Sequence, residues 1–315
     1  DRNLALEFVR VTEAAAIAAA KWVGRGDKNA ADQAAVDEMR ARFNQMDFAG
    51  TVVIGEGSID EAPELYVGEK VGKGSHPEMD LAVDPLEATD SVAHGRPNAI
   101  SVITAGSKGS LFSVPEMYME KLAAGPKAAK DIDLDAPVDF NIKKVASALG
   151  KKVEDITVVL LDRDRHEDLI KKIREVGARV RLITDGDVAG AIAPSLPDSG
   201  IDLLMGTGKS TEAVLAAVAI KILGGQILAR FKPKDKEEEE RLKKIGIKDP
   251  KKVLNAEDLA KGDMLTFTAT GVIDGPLLPG VEFTDHKIIT HSVVMRASSG
   301  TIRYIETHHH QSKNK

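Results

Sequence analysis

Leu4, Phe8, Val11, Ala15, Ala19 and Trp22 recur at helical spacing, and Ala35, Val36, Met39 and Phe43 repeat the pattern. The spacing predicts helices over 4–22 and 31–45. Their link, Gly24-Arg25-Gly26-Asp27-Lys28-Asn29, is polar and glycine-rich. β-Branched and apolar runs then predict strands over 51–54, 81–83, 99–105 and 111–114. The first ends at Gly55-Glu56-Gly57, the second at Asp84-Pro85, and Gly106-Ser107-Lys108-Gly109 supplies a turn between the last two.

From residue 156 the rhythm changes. Strands over 157–161, 179–183 and 201–205 alternate with helices near 166–176, 187–193 and 211–223. Such alternation predicts right-handed crossovers, a parallel sheet, and ligands at the carboxyl ends of the strands. Those ends carry Asp162-Arg163-Asp164-Arg165, Asp185-Gly186-Asp187 and Gly206-Thr207-Gly208, which should share one rim. A charge-rich stretch over 232–252 reads as a solvated helix at 234–244. Strands over 264–270, 288–296 and 301–305 follow and are expected to rejoin the first sheet. The expected division is a domain of 1–155 completed by 255–315, and a second domain of 156–254. The fold class is mixed α/β, and there is neither an internal repeat nor a low-complexity linker.

Composition narrows the chemistry. In 315 residues, 43% of them hydrophobic, there is enough apolar material for a real core. A net charge of -6 argues against a nucleic-acid footprint. With no cysteine, a metal would need oxygen or imidazole ligands. The run from Ala14 to Ala20 is too short to span a bilayer. With no targeting segment in view, a cytoplasmic protein with a small-molecule ligand is expected. The last residues, His308-His309-His310-Gln311-Ser312-Lys313-Asn314-Lys315, read as a frayed polar terminus or a purification remnant.

Gly206-Thr207-Gly208-Lys209-Ser210 looks like the end of a phosphate-binding P-loop. The full pattern needs a glycine where Leu203 stands. The loop is incomplete, and a nucleotide enzyme is the remote reading.

Asp32, Glu56, Asp84, Glu87 and Glu212 are the acids of interest. Asp84-Pro85-Leu86-Glu87-Ala88-Thr89 is the sharpest stretch, because an Asp and a Glu three apart at a strand end can address one cation. A helix start near Thr89 would meet an anion, and its hydroxyl would orient a water. An arbitrary acid is a solvated charge or a cap far more often than a ligand. Several acids at strand ends, with Arg163, Arg165 and Lys28 in turns, supply the parts for metal-assisted phosphate chemistry.

The chain resembles class II fructose-1,6-bisphosphatases, within the wider lithium-sensitive sugar and inositol phosphatase group. The likeness rests on Gly24 to Asn29 with Ala31-Asp32, Val53-Ile54-Gly55-Glu56-Gly57, Asp60-Glu61-Ala62-Pro63, Ala82-Val83-Asp84-Pro85, Met117-Tyr118-Met119-Glu120-Lys121-Leu122 and Asp185-Gly186-Asp187-Val188. It implies a layered αβαβα sandwich with metals and substrate between its halves, and a homo-oligomer, dimer or tetramer. Asp32 and Glu56 resemble ligands of one Mn²⁺ or Mg²⁺, and Asp84, Glu87 and Glu212 those of a second. Thr89 would activate water, with Lys28 and Asp60 close to the metals. Glu87, Ala88, Thr89, Tyr118, Arg163, Asp164, Arg165, Asp185, Gly186, Asp187 and Lys209 match positions that hold the sugar bisphosphate. The implied reaction is hydrolysis of the 1-phosphate of fructose 1,6-bisphosphate, as in gluconeogenesis. A divergent member acting on sedoheptulose 1,7-bisphosphate, or a non-catalytic sugar-phosphate-binding protein, is the alternative.

Three stretches depart from the family pattern. Glu-Gly-Thr is here Glu87-Ala88-Thr89, Arg-Pro-Arg-His is Arg163-Asp164-Arg165-His166, and Gly-Ala-Pro-Glu-Gly is Lys209-Ser210-Thr211-Glu212-Ala213. A left-handed Ala88 would cost about 1–2 kcal/mol, whereas a helical one would gain about 1 kcal/mol over glycine. Lys209 would either add a phosphate contact or repel a metal. The sequence leaves both questions open.

Overall fold

The computed structural model describes residues 4–56 and 65–310, so Asp60 and its neighbours Glu61 to Pro63 lie outside the described residues. The chain divides into two compact units, the described residues up to Leu111 with those from Asp263 on, and Phe112–Gly262.

The first unit contains α1 (Leu4–Ala20), α2 (Lys28–Phe43), β1 (Ala49–Ile54), β2 (Lys70–Val71), β3 (Glu78–Glu87), α3 (Thr89–His94) and β4 (Ala99–Ser107). The second contains β5 (Tyr118–Ala124), α4 (Val138–Leu149), β6 (Thr157–Leu161), α5 (Glu167–Val176), β7 (Arg179–Ile183) and α6 (Asp187–Ile192). It continues through β8 (Leu203–Lys209), α7 (Ser210–Ile222), β9 (Gln226–Phe231), α8 (Lys236–Lys244) and α9 (Ala256–Leu259). The chain then returns to the first unit with β10 (Thr266–Ile273), β11 (Glu282–Phe283), β12 (Lys287–Arg296) and β13 (Thr301–His310).

The first sheet runs β11-β12-β10-β4-β3-β1-β2, with β13 on β12. The late strands do rejoin it. The helical stripe read from the sequence is buried in this unit at Leu4, Phe8, Val11, Ala15 and Ala19. Phe8 meets Phe43 and Phe48 edge-on, with ring centroids 6.2 and 5.8 Å apart. His308 to His310 are not frayed. They pair with Lys287 to Ile289 on β12, and His309 Nε2 lies 2.9 Å from Thr290 Oγ1.

The second sheet runs β7-β6-β8-β5-β9. β6 is parallel to β7 and β8, as the alternation predicts, but β5 is antiparallel to both β8 and β9, which makes the sheet mixed. One core packs Leu122, Ile142, Val145, Leu160, Ile173 and Met205 between this sheet and its helices. Residues 112–155 group with this unit because β5 lies in its sheet and α4 lies over that core, so the first boundary falls at 111 and not at 155. Leu111 to Val114 form no strand. No described helix is long and apolar enough to cross a membrane.

Candidate active site

In the first unit β1 and β3 are parallel, with Ile54 opposite Ala82. That register carries Glu56 and Asp84 to the carboxyl ends of neighbouring strands. β3 does not stop at Asp84 as expected; it continues to Glu87. In a regular strand, residues three apart face opposite ways. Here Asp84 pairs with Val102 and Glu87 with Ile100, three steps on β3 against two on β4. The extra residue is a bulge at Pro85-Leu86, where a missing N–H is tolerated. It turns Asp84 and Glu87 to one face of the sheet.

Ala88 follows with φ +79°, ψ +51°, so the left-handed conformation is the one adopted. Thr89 then starts α3, half-buried. Asp32 lies in the second turn of α2. The approach to α2 is tied to α3 through Gly24 N–H to Val92 O and Gly26 N–H to Ala93 O, both 2.9 Å. Exposed Lys28 reaches Asp90 at 3.4 Å.

In the second unit, Gly206-Thr207-Gly208-Lys209 is not a loop. It is the end of β8, paired residue for residue with β5 from Tyr118 to Lys121. A phosphate cradle needs consecutive free N–H groups in a turn, and an extended strand on β5 does not supply them. The glycines serve close approach instead. A Cβ on Gly208 would lie 2.0 Å from Asp187 Oδ2, and one on Gly206, at φ +146°, would lie 3.2 Å from the His166 ring.

Behind Gly208 is a buried ion cluster. Lys121 Nζ donates to Asp187 Oδ2 at 2.8 Å and to Glu212 Oε2 at 3.4 Å. Glu212 Oε2 also accepts the Lys209 N–H at 3.0 Å, and the Lys209 ammonium meets Glu116 at 3.1 Å. Burial alone would lower the Lys121 ammonium, but the two carboxylates outweigh it and hold it above its ordinary value. Burial, with the Asp187 charge second, pushes Glu212 up to about 7 against the opposing pull of Lys121. Sequence reasoning sorted Asp187 with the substrate and Glu212 with the metals. The fold brings their oxygens within 4.8 Å of each other, around a lysine that reasoning had passed over. The one available signal was a lysine placed between the apolar residues Met119 and Leu122, with Glu120 beside it.

The pair fits a hard divalent cation. Both donors are carboxylates, and Asp187 Oδ1 is buried without a hydrogen-bond partner among the described residues. Lys121 occupies one oxygen of each acid.

At the carboxyl ends of β6, β7 and β8 the three predicted turns do share a rim. Asp162 N–H bonds Ile183 O at 2.8 Å, and Arg165 donates from Nε and Nη2 to Thr207 O at 3.1 and 2.8 Å. The Arg165 guanidinium lies 4.9 Å from the Tyr118 ring centroid, as does the Lys234 ammonium. Arg163 turns back on Asp162 O at 2.9 Å, and Asp164 opens a short 3₁₀ turn, exposed. Gly186, at φ +83°, leads into α6, whose first residue is the buried Asp187; Asp185 just before it is half-buried. A cavity of about 280 Å³ opens beside this rim, lined among others by Arg165, His166, Lys172, Thr207 and Lys232.

Comparison with known proteins bears on what the rim serves. A family model described as bacterial fructose-1,6-bisphosphatase, glpX-encoded, matches residues 2–309. The class 2 fructose-1,6-bisphosphatase of Haemophilus influenzae is 47% identical, with 98% of this chain and 97% of that one aligned. Fructose-1,6-bisphosphatase 1 class 2 of Escherichia coli K12 is 46% identical, over 98% and 96% of the two chains.

Proposed function

The chain belongs to the glpX-type family of bacterial fructose-1,6-bisphosphatases, and from that premise we propose that it hydrolyses the 1-phosphate of fructose 1,6-bisphosphate, giving fructose 6-phosphate and phosphate. The observation that carries this reading is the near full-length likeness to two enzymes of that name. The wider lithium-sensitive group, a gluconeogenic role, a cytoplasmic site of action and a homo-oligomeric state belong to the same proposal.

Two divalent ions, Mn²⁺ or Mg²⁺, are assigned to Asp32 with Glu56 and to Asp84 with Glu87 and Glu212. When bound they supply a polarised phosphate and a water of lowered pKa. The chain's own residues do the rest. The bulge at Pro85-Leu86 gives Asp84 and Glu87 a common direction, supporting a shared ligand. The Thr89 hydroxyl, at the start of α3, orients the attacking water, and Lys28 and Asp60 are assigned to the same catalytic set. Lys121 holds one oxygen of Asp187 and one of Glu212, and Asp187 so placed accepts a sugar hydroxyl. Arg165 retains three of its five N–H groups after its two bonds to Thr207, enough for a paired grip on the second phosphate. Tyr118, Arg163, Asp164, Asp185, Gly186 and Lys209 complete the sugar-phosphate contacts, with Glu87, Ala88 and Thr89 on the side of the reacting phosphate.

Phosphate release from fructose 1,6-bisphosphate by the Mn²⁺-loaded protein tests the proposal. Release from this sugar, faster than from sedoheptulose 1,7-bisphosphate, is expected. A folded, metal-loaded protein that binds either sugar without turnover would sink it.

A further inference from the structure

β8 stays in the ladder of β5 as far as Lys209, but its pairing with β6 is confined to Val158 with Leu203 and Val159 with Leu204. Beyond Leu204 that pairing ends, and the next residues of β8, Met205, Gly206 and Thr207, line the cavity beside the rim. One buried side chain links the two strands there. His166 lies within 2.7 Å of Leu161 O through Nδ1, and its Nε2 accepts the Thr207 N–H at 2.8 Å. A carbonyl on one side and an N–H on the other permit one tautomer, with the proton on Nδ1. Burial first, with the cations Arg165, Lys232 and Arg163 adding to it, holds the imidazole below its ordinary pKa, in keeping with a neutral ring. The peptide whose N–H His166 holds belongs to the same residue whose carbonyl receives both Arg165 bonds.

We propose that His166 is a positioning residue for recognition of the second phosphate: by tethering Thr207 to the end of β6 it fixes the backbone on which the Arg165 guanidinium is seated. The inference rests on the sugar-bisphosphate reading of Arg165. It assigns the imidazole a role in specificity, not in the chemistry at the 1-phosphate.

Two variants separate the ring's two contacts. His166→Asn keeps a donor near Leu161 O and loses the acceptor for Thr207, whereas His166→Gln keeps an acceptor near the place of Nε2. His166→Phe keeps the ring and removes both nitrogens. The readout is the ratio of kcat/KM for fructose 1,6-bisphosphate to that for fructose 1-phosphate, the same sugar without the remote phosphate. Thermal melts run alongside confirm that each variant is folded. The Phe and Asn variants are expected to lower the ratio about tenfold or more, chiefly through KM for the bisphosphate, and the Gln variant to restore most of it. Arg165→Ala is measured beside them. If it lowers the ratio while the Phe and Asn variants keep it, or if Gln and Asn behave alike, the role of His166 is overturned and the substrate reading stands. If Arg165→Ala leaves the ratio unchanged, or the parent acts on neither sugar, the reading and the inference fall together.

Discussion

Ala88 is one of two described residues other than glycine with positive φ, the other being Asn98. The left-handed backbone costs alanine about 1–2 kcal/mol. Glycine would relieve that but lose unfolded-state restriction worth about 0.4–1 kcal/mol and a buried methyl worth about 0.8 kcal/mol. Ala88→Gly is therefore expected to shift stability by less than about 1 kcal/mol, while Ala88→Val, with a branched side chain, costs about 2 kcal/mol or more in urea unfolding. Lys121→Met strands the buried Asp187 and the half-buried Glu212 and should cost about 3 kcal/mol. Glu212 adds a pH signature. Its pKa is raised in the folded state, so its contribution is fully present below about 4.5 and lost as pH rises through about 7. In chelator-treated protein, stability should fall across that window by at most about 3 kcal/mol, and Glu212→Gln should flatten the slope. A slope unchanged in that variant would count against the assignment.

At the scale of elements, β8 decides how the glycine-rich motif is understood. A strand that carries Gly208 against Asp187 leaves no room for a side chain there, and Gly206, at positive φ, sits tightly against the His166 ring. Gly208→Ala is expected to cost about 2 kcal/mol or more and to push Asp187 off Lys121; wild-type stability with retained turnover would contradict the packing. ATP should not bind, which equilibrium dialysis checks directly. β5 shows why some elements escaped notice. Met119, Glu120, Lys121, Leu122 and Ala123 are all good helix formers, and only pairing with β8 and β9 makes them a strand. The bulge in β3 was equally invisible, because its cause is a mismatch of steps with β4, 13 or more residues away along the chain.

For the whole molecule, the expected outcome is a phosphatase whose stability and turnover both answer to Mn²⁺. At a hundredfold excess over its dissociation constant, a bound ion adds about 2.7 kcal/mol, a rise in Tm that a melt reads without any turnover. Asp84→Asn and Glu87→Gln should lose phosphate release and reduce that rise together. A rise intact in both variants would remove Asp84 and Glu87 from the metal set. Lys209→Ala should change stability by less than about 1 kcal/mol, since its partner Glu116 is an exposed surface contact.

The sequence by itself determined the mixed α/β class, the buried stripe of α1, the alternation of β6 to β8 with their helices, and the family. Each of these is written in local spacing or in contiguous motifs. Tertiary structure alone decided four things: the direction shared by Asp84 and Glu87, the backbone of Ala88, the meeting of Asp187 with Glu212 around Lys121, and the tether from His166 to Thr207. The reason is physical. A bulge, a left-handed turn and a buried ion pair each take their energy from a partner strand or helix, and spacing along one segment carries no record of what that segment will pack against.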